Sequence, residues 1–220
     1  MNKEWAEQNK KMQLLLKKKD SFASGIAALL MLRKALMEQM VAFQTQLTAA
    51  DFSAMPYKNA KGYHSKTVAY SLWHIFRIED IVAHTLIAGD EQVFFQGDYQ
   101  RKINSPIITT GNELTGEEII RFSQELSIDE LYAYIKAVDA ATTAILENLA
   151  YGDIKTKITD EKRMVLENLG VVSDDENARW LIDYWCGKDI KGLIQMPFSR
   201  HWIMHVEACI RITDKLLATG

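Results

Sequence analysis

Apolar residues recur along much of the chain at steps of three and four, the spacing that places them on one face of an α-helix. Long amphipathic helices are predicted at about 21–48, 65–88, 128–150 and 197–218. No segment alternates convincingly with a period of two, so a β-sheet is not expected. The pattern predicts an all-α protein: a single domain over 1–220, with a leading helix within residues 1–19 and a four-helix bundle over 20–218.

The connections between the predicted helices carry turn and capping signals. Pro56 and Gly62 mark residues 51–64 as a loop, and Gly89 is expected to end the second long helix. Residues 91–112 are interpreted as a long irregular loop, a kind of segment that often forms the wall or lid of a functional site. Further helix starts are predicted at the capping boxes Thr115 to Glu118, Ser127 to Glu130 and Ser173 to Glu176, and at Pro197.

Composition narrows the class of protein. The 220 residues are 48% hydrophobic and 25% charged, as in an ordinary globular chain, and the net charge of -3 offers no general basic surface for nucleic acid. The longest apolar stretch, at 23–32, is shorter than the roughly 20 residues of a membrane span. The polar N-terminus lacks the apolar segment of a signal peptide, and only Cys186 and Cys209 are available for a disulfide. We therefore expect a cytoplasmic protein with no membrane or nucleic-acid partner.

Histidines supply the candidate chemistry. At about 100° per residue, His201 and His205 share the stripe of the last helix that also holds Cys209, Ile212 and Leu216. His74 is centred in the wide apolar arc of the second long helix. His84 falls beside Arg77 and Asp80 on the polar side of that helix, and His64 lies at its start. Three of the five histidines are therefore predicted to face the interior.

Inward-facing histidines have two interpretations. In the first, they are core residues whose rings are hydrogen-bonded, because burying a polar group without a partner costs about 1–3 kcal/mol. Alternatively, His201 and His205, one helical turn apart, hold a metal ion together with His74 from a facing helix and leave one coordination position open. A site built from His205 and Cys209 is a weaker alternative, because a free cysteine is usually a small core residue.

The stretch SLWHIFRIEDIVAH, followed far downstream by an HxxxH pair in the last helix, resembles the DinB-like (YfiT-like) superfamily. The resemblance covers roughly residues 20–218 and implies a four-helix bundle with down-up-up-down connectivity. It also implies a divalent metal, nickel or zinc, bound by His74, His201 and His205. Many members continue the histidine pair with Arg-Gly-Gln, where this chain has 206–208 as Val-Glu-Ala. The segments 1–19 and 153–196 are helical elaborations on the minimal bundle.

Members of that superfamily include hydrolases and thiol-dependent S-transferases or isomerases that use a low-molecular-weight thiol. The resemblance therefore implies a metal-dependent hydrolase or thiol transferase that acts on a small molecule. A non-catalytic metal-binding or stress-response protein is the alternative, although a structural zinc normally has four protein ligands where this sequence offers three.

Few other residues suggest a catalytic role. Tyr70 lies one turn before His74 and either orients water or substrate or packs in the core, while Glu79 and Asp80 point away from His74. Phe94 and Phe95 are expected to cover the mouth of the metal site. Four aromatic residues either line a pocket or pack in the core: Trp180, Tyr184, Trp185 and Phe198. An outer arc of the second helix, formed by Trp73, Phe76 and Ile87, favours a homodimer.

Overall fold

The computed structural model describes residues 2–60 and 62–218, and these residues form helices joined by short turns, with no β-strand. The first helices are α1 (Lys3–Leu15), α2 (Phe22–Gln46), α3 (Ala49–Phe52) and α4 (Val68–Asp80), and α4 continues as a π-helical turn over Ile81–Ala88. Next come α5 (Val93–Gln96), α6 (Tyr99–Ile103), α7 (Gly116–Glu125) and α8 (Ile128–Asn148). The last are α9 (Asp160–Asn168), α10 (Glu176–Cys186), α11 (Ile190–Gln195), a π-helical turn over Met196–Arg200, and α12 (His201–Leu217). The all-α prediction is confirmed.

The four predicted long helices are present close to their predicted bounds. Gly89 ends the second one with a left-handed backbone, φ 78°, which glycine adopts without steric cost. Thr115 and Glu118 form the predicted capping box of α7. The Ser127 side chain makes no capping hydrogen bond, and α10 is capped by Asp175 rather than by Ser173, so those two predicted boxes are wrong.

The predicted loop over 91–112 is more ordered than the sequence pattern indicated. It contains α5 and α6, each only about one turn long, which bury Phe94 and Ile103. Elements this short present too few apolar residues to show a helical period in the sequence, so the segment was wrongly interpreted as irregular throughout. The predicted loop over 51–64 likewise contains α3 and a 3-10 turn at Gly62–His64.

Helix α4 lies at the centre of the molecule, and every one of its residues is buried. It contacts α8 on one side and α12 on another, while α2 contacts both α8 and α12. Trp73, Phe76 and Ile87 are buried within the chain, Trp73 against Phe94 and Phe76 against Trp202. The apolar arc on which a homodimer was expected is therefore covered by the chain's own helices, and that argument is wrong.

The polar side predicted for α4 is also buried. Glu79, elsewhere on α4, is likewise buried and accepts two hydrogen bonds from the Arg33 guanidinium of α2, at 2.7 and 2.8 Å. Arg33 also pairs with Asp139 at 2.6 Å. Arg77 pairs with Asp80 at 3.3 Å. The charged groups are thus paired inside the protein rather than solvated, because neighbouring helices bring partners of opposite charge.

None of the described helices combines the length and the apolar character that crossing a bilayer requires.

Candidate metal centre

Three histidines converge where α4 packs against α12. His201 and His205 are one turn apart at the start of α12, and His74 lies in the middle of α4. The His74 ring centroid is 5.0 Å from that of His201 and 4.9 Å from that of His205, and the latter two centroids are 4.6 Å apart. The predicted convergence of rings from two separate helices is confirmed.

The ring nitrogens of this cluster are close enough to bind one metal ion. One nitrogen from each of His74, His201 and His205 can be chosen so that all three lie within 4.8 Å of one another. It is the only such group of three or more histidine, cysteine or acidic side chains in the described part of the chain. The three residues are 5%, 7% and 3% exposed, so the cluster is shielded from bulk water.

Burial keeps the three imidazoles neutral. It lowers the pKa of His74 to about 4, against a hydrogen bond to the Thr110 carbonyl that raises it. Burial, and then the neighbouring histidines, lower the pKa values of His201 and His205 well below the ordinary value of 6.5. Because a metal ion binds neutral imidazole and competes with protons for it, the cluster is in the form that ligation requires at neutral pH.

A backbone carbonyl fixes which nitrogen His74 offers. The Nδ1–H of His74 donates to the Thr110 carbonyl at 2.8 Å, and since a carbonyl only accepts, Nε2 keeps its lone pair. The Tyr70 ring stacks on His74 with centroids 5.6 Å apart, and its hydroxyl donates to the Gly111 carbonyl at 2.9 Å. Such a partner on the far nitrogen is typical of metal-binding histidines.

The carbonyl that orients His74 belongs to a segment held in place by Arg77. The Arg77 Nη2 donates to the Ile108 carbonyl at 2.7 Å, and the Arg77 Nε donates to the same oxygen at 3.2 Å. Gly111 has φ 76°, and a Cβ there would lie 3.1 Å from the Tyr70 ring, so both its backbone and its surroundings favour glycine. The segment over 108–111 is thus fastened to α4 at three points.

His201 and His205 lack the hydrogen bonds that a core histidine would have. Nδ1 of His201 and both ring nitrogens of His205 are buried with no partner among the described residues. The interpretation of these two as core residues bonded to carbonyls and hydroxyls therefore does not fit, whereas His74 does have such a bond. Uncompensated buried imidazole nitrogens are costly, and a cation would give them a partner.

A cavity of about 270 Å³ opens beside the three histidines. Its other lining residues are Tyr63, Ile78, Asn112, Trp180, Leu181, Tyr184, Trp185, Met196 and Pro197. Helix α10 supplies Trp180, Tyr184 and Trp185, so the pocket interpretation holds for these three, whereas Phe198 is buried in the core. The expectation that Phe94 and Phe95 cover the site is wrong: Phe94 packs instead on Trp73 and beneath the Arg77 guanidinium.

The other candidate residues lie outside the cluster. Cys209 is buried one turn beyond His205, and burial raises the pKa of its thiol to about 12, so it is a core residue. His84 is buried, contrary to the predicted polar side, and its Nδ1 pairs with Asp90 at 2.7 Å. His64 accepts a hydrogen bond from Arg211. Tyr70 does not line the cavity, and its hydroxyl is occupied by Gly111, which favours packing over catalysis.

Sequence reasoning missed the residues that complete the site from outside α4 and α12. Thr110 and Asn112 come from the segment after α6. Tyr63 comes from the 3-10 turn before α4, and its ring meets the His205 ring edge to face with centroids 4.7 Å apart. Only the glycine at 111, in a segment already suspected of forming a wall, marked this region. A backbone carbonyl leaves no sequence signal at all.

No family model matches the chain, and no curated protein matches it either.

Proposed function

We propose that this chain is a metal-dependent enzyme, a hydrolase or a thiol-dependent S-transferase that acts on a small molecule. His74, His201 and His205 would hold one divalent ion, nickel or zinc. The observation that carries the proposal is the convergence of three buried, neutral imidazoles beside a cavity, with three of their nitrogens lacking any partner among the described residues. Structural zinc normally has four protein ligands, so a set of three favours a site with an open position.

The proposal extends to the arrangement of the helices. We infer a four-helix bundle of α2, α4, α8 and α12 with the down-up-up-down connectivity of the DinB-like superfamily. In support, these are the long helices, each of them contacts at least two of the others, and the ligands lie on the second and the last. Helix α1 packs on α2, and α9 to α11 are inserted between α8 and α12.

A bound divalent ion would supply a Lewis acid that makes hydroxide or thiolate available at neutral pH. The chain's own residues would bind and orient. Thr110 holds the His74 ring through its carbonyl, and Asn112 places an amide at the cavity wall, where its Oδ1 accepts from the Thr110 hydroxyl at 2.8 Å. That bond leaves the Asn112 amide hydrogens as donors toward a substrate oxygen.

Proton transfer is the part for which the cavity is least equipped. Within the described residues no aspartate or glutamate lines it, and burial raises the pKa of the Tyr63 phenol, so Tyr63 stays protonated and cannot act as a base. This absence of a carboxylate base supports the alternative, a non-catalytic metal-binding or stress-response protein. Under that alternative the metal is bound with the same three ligands but no reaction occurs.

The first experiment tests the ligands. Protein purified without a histidine tag is loaded with nickel or zinc, and bound metal is measured by elemental analysis in the parent chain and in His205→Ala and His84→Ala. His84 is the matched control, because it is equally buried but paired with Asp90. We expect His205→Ala to abolish binding and His84→Ala to retain it, with circular dichroism confirming that both fold. Equal losses in the two variants would refute the assignment.

The second experiment separates the two functions. The metal-loaded chain is assayed on small esters and amides, with and without an added thiol. Turnover that disappears on chelation and in His205→Ala supports the enzyme. Stoichiometric metal without turnover on any of these substrates supports the non-catalytic alternative.

A further inference from the structure

We propose that the cavity beside the three histidines takes an aromatic compound with a single small polar head group and no charged group elsewhere on the ring. The aromatic ring would lie against Trp180 and Trp185, and the head group would face the histidines and Asn112. This inference rests on the proposed metal site and adds to it the class of substrate.

One face of α10 builds an aromatic wall. At about 100° per residue, Trp180, Leu181, Tyr184 and Trp185 fall within an arc of about 140° on one side of the helix. The Trp180 and Tyr184 rings meet edge to face with centroids 5.6 Å apart. On the other sides, Ile78, Met196 and Pro197 add apolar surface. The lining thus offers aromatic ring faces and edges, against which a planar ring can stack or pack edge to face.

Trp180 is the residue that a ligand would cover. It is 50% exposed although it lines the cavity, while its neighbour Trp185 is 1% exposed. Its only polar side-chain atom is already used, because the indole Nε1–H donates to the Asn177 carbonyl at 2.9 Å. The ring itself remains available, and it makes apolar and stacking contacts only.

Apart from a bound ion, the lining of the cavity carries no formal charge. None of the described residues that line it is a lysine, arginine, aspartate or glutamate. Two lysines approach the region, but each lies over a tyrosine ring: Lys66 over Tyr70 at 4.9 Å and Lys188 over Tyr184 at 4.1 Å. A charged group placed against the α10 wall, away from the ion, would therefore lose water without gaining an ionic partner from the lining, which is costly.

The volume of the cavity also favours a small aromatic ligand. A volume of about 270 Å³ exceeds the roughly 150 Å³ of an apolar cavity that encloses benzene, yet it falls just below the range of about 300–1,000 Å³ that holds drug-sized ligands. A ring with one substituent fits within it. A peptide-sized thiol, with its several charged groups, would be left mostly outside.

The polar groups beside the histidines set the head group. They are the three imidazoles and the Asn112 amide, which has donors free; the Tyr63 and Tyr184 hydroxyls are the other polar side-chain groups of the tyrosines in the lining. One thiol, hydroxyl or carbonyl group reaches the imidazoles and Asn112, whereas a second polar group on the ring would meet mainly the Trp180 and Trp185 rings. The polar and aromatic sides of the cavity thus match the two ends of one molecule.

The test is a titration of the cobalt-loaded chain with three probes that share a thiol: phenylmethanethiol, 2-mercaptoethanol and 4-(sulfanylmethyl)benzoate. Calorimetry gives the affinities, and the visible absorption of cobalt reports whether the thiol reaches the ion. We expect phenylmethanethiol to bind at least about tenfold more tightly than either of the others, since one lacks the ring and one adds an unpaired charge. Equal affinities, or a preference for the benzoate, would overturn the proposal.

Trp180→Ala identifies the wall. The substitution should weaken the affinity for phenylmethanethiol about two- to tenfold and leave the affinity for 2-mercaptoethanol unchanged, because only the ring contact is lost. Met164→Ala, which removes an exposed apolar side chain outside the cavity, is the control and should change neither affinity. A Trp180→Ala variant with unchanged selectivity would also overturn the proposal. Failure to bind cobalt would instead refute the metal site. The cobalt stoichiometry is measured before any probe is added, so the two failures are distinguishable.

Discussion

Replacing His205 by leucine should stabilise the metal-free protein while abolishing metal binding. Both ring nitrogens of His205 are buried without a partner among the described residues, and the side chain is 3% exposed. Leucine has a similar volume and needs no hydrogen bonds, so it fits the same space without leaving a polar group unsatisfied.

The magnitude follows from the number of unsatisfied atoms. A buried polar group without a partner costs about 1–3 kcal/mol, and His205 has two such nitrogens in one ring. Water reaching the cavity side of the cluster would recover part of this cost, so we expect His205→Leu to raise the free energy of unfolding by about 1–3 kcal/mol. For a chain of 220 residues, that corresponds to an increase in Tm of roughly 2–12 °C.

Metal should reverse the order of stabilities. An ion at a thousand times its Kd stabilises the parent chain by roughly 4 kcal/mol but gives the leucine variant nothing, because the variant has lost a ligand. Thermal and urea unfolding of both chains, each with chelator and with excess zinc, would measure the crossover.

His74→Leu is the matched comparison. The His74 ring already has a hydrogen bond, and its loss would leave the Thr110 carbonyl unpaired, so this variant should gain little or be destabilised in the metal-free state. If His205→Leu proved as destabilising as His74→Leu without metal, the unpaired nitrogens would not be the source of the cost. The reasoning from unsatisfied ligands to a metal site would then be refuted.

Three further outcomes are expected. Arg33→Met should lower the free energy of unfolding by about 3–5 kcal/mol in urea titrations, because it leaves Glu79 charged and buried. Arg33→Met combined with Glu79→Gln should recover part of that loss. A single variant as stable as the parent would show that the pair is not coupled. Because the pKa of His74 is lowered to about 4 and those of His201 and His205 are also depressed, metal affinity should fall less than about tenfold from pH 7 to 5.5, measured by competition with a chelator. Three imidazoles at the ordinary pKa would lose roughly 10²–10³-fold. The metal-free fold should lose stability as the pH falls from 6.5 toward 4, since the unfolded chain then binds protons that the folded histidines do not. Stability that is flat across this range would contradict the depressed pKa values.

The sequence was sufficient to find the three histidines, because each lies on a long helix with a regular apolar stripe. The four-residue step from His201 to His205 puts them on one face whatever surrounds the helix, and His74 is central in its own arc. The same helical geometry grouped His84 correctly with Asp80, 4.0 Å away, but predicted wrongly that this side faces solvent. Angular position reports which residues share a face, whereas burial depends on which other helices cover it.

The remaining parts of the site depend on contacts distant in the sequence. Thr110 acts through its carbonyl, which any residue possesses, and Asn112 reaches the cavity because Arg77 fastens the preceding backbone. Trp180 and Trp185 were equally compatible with a pocket or a core, since one helix face packs on another by the same rule in either case. Only the placement of α10 and the start of α12 around one cavity decides between them.

The π-helical turn over Met196–Arg200 joins α11 to α12. Helix α10, which carries the aromatic wall, precedes α11, and α12 carries two of the proposed ligands. Such a wide turn accommodates one residue more than an α-helical turn, and each residue added to or removed from a helix rotates the N-terminal part by about 100° relative to the C-terminal part. A one-residue deletion within this joint would therefore rotate α11 and re-aim Met196 and Pro197, which line the cavity, while α12 keeps His201 and His205 packed against α4. The chain has in this joint a place where the shape of the cavity can diverge among descendants without disturbing the histidine cluster.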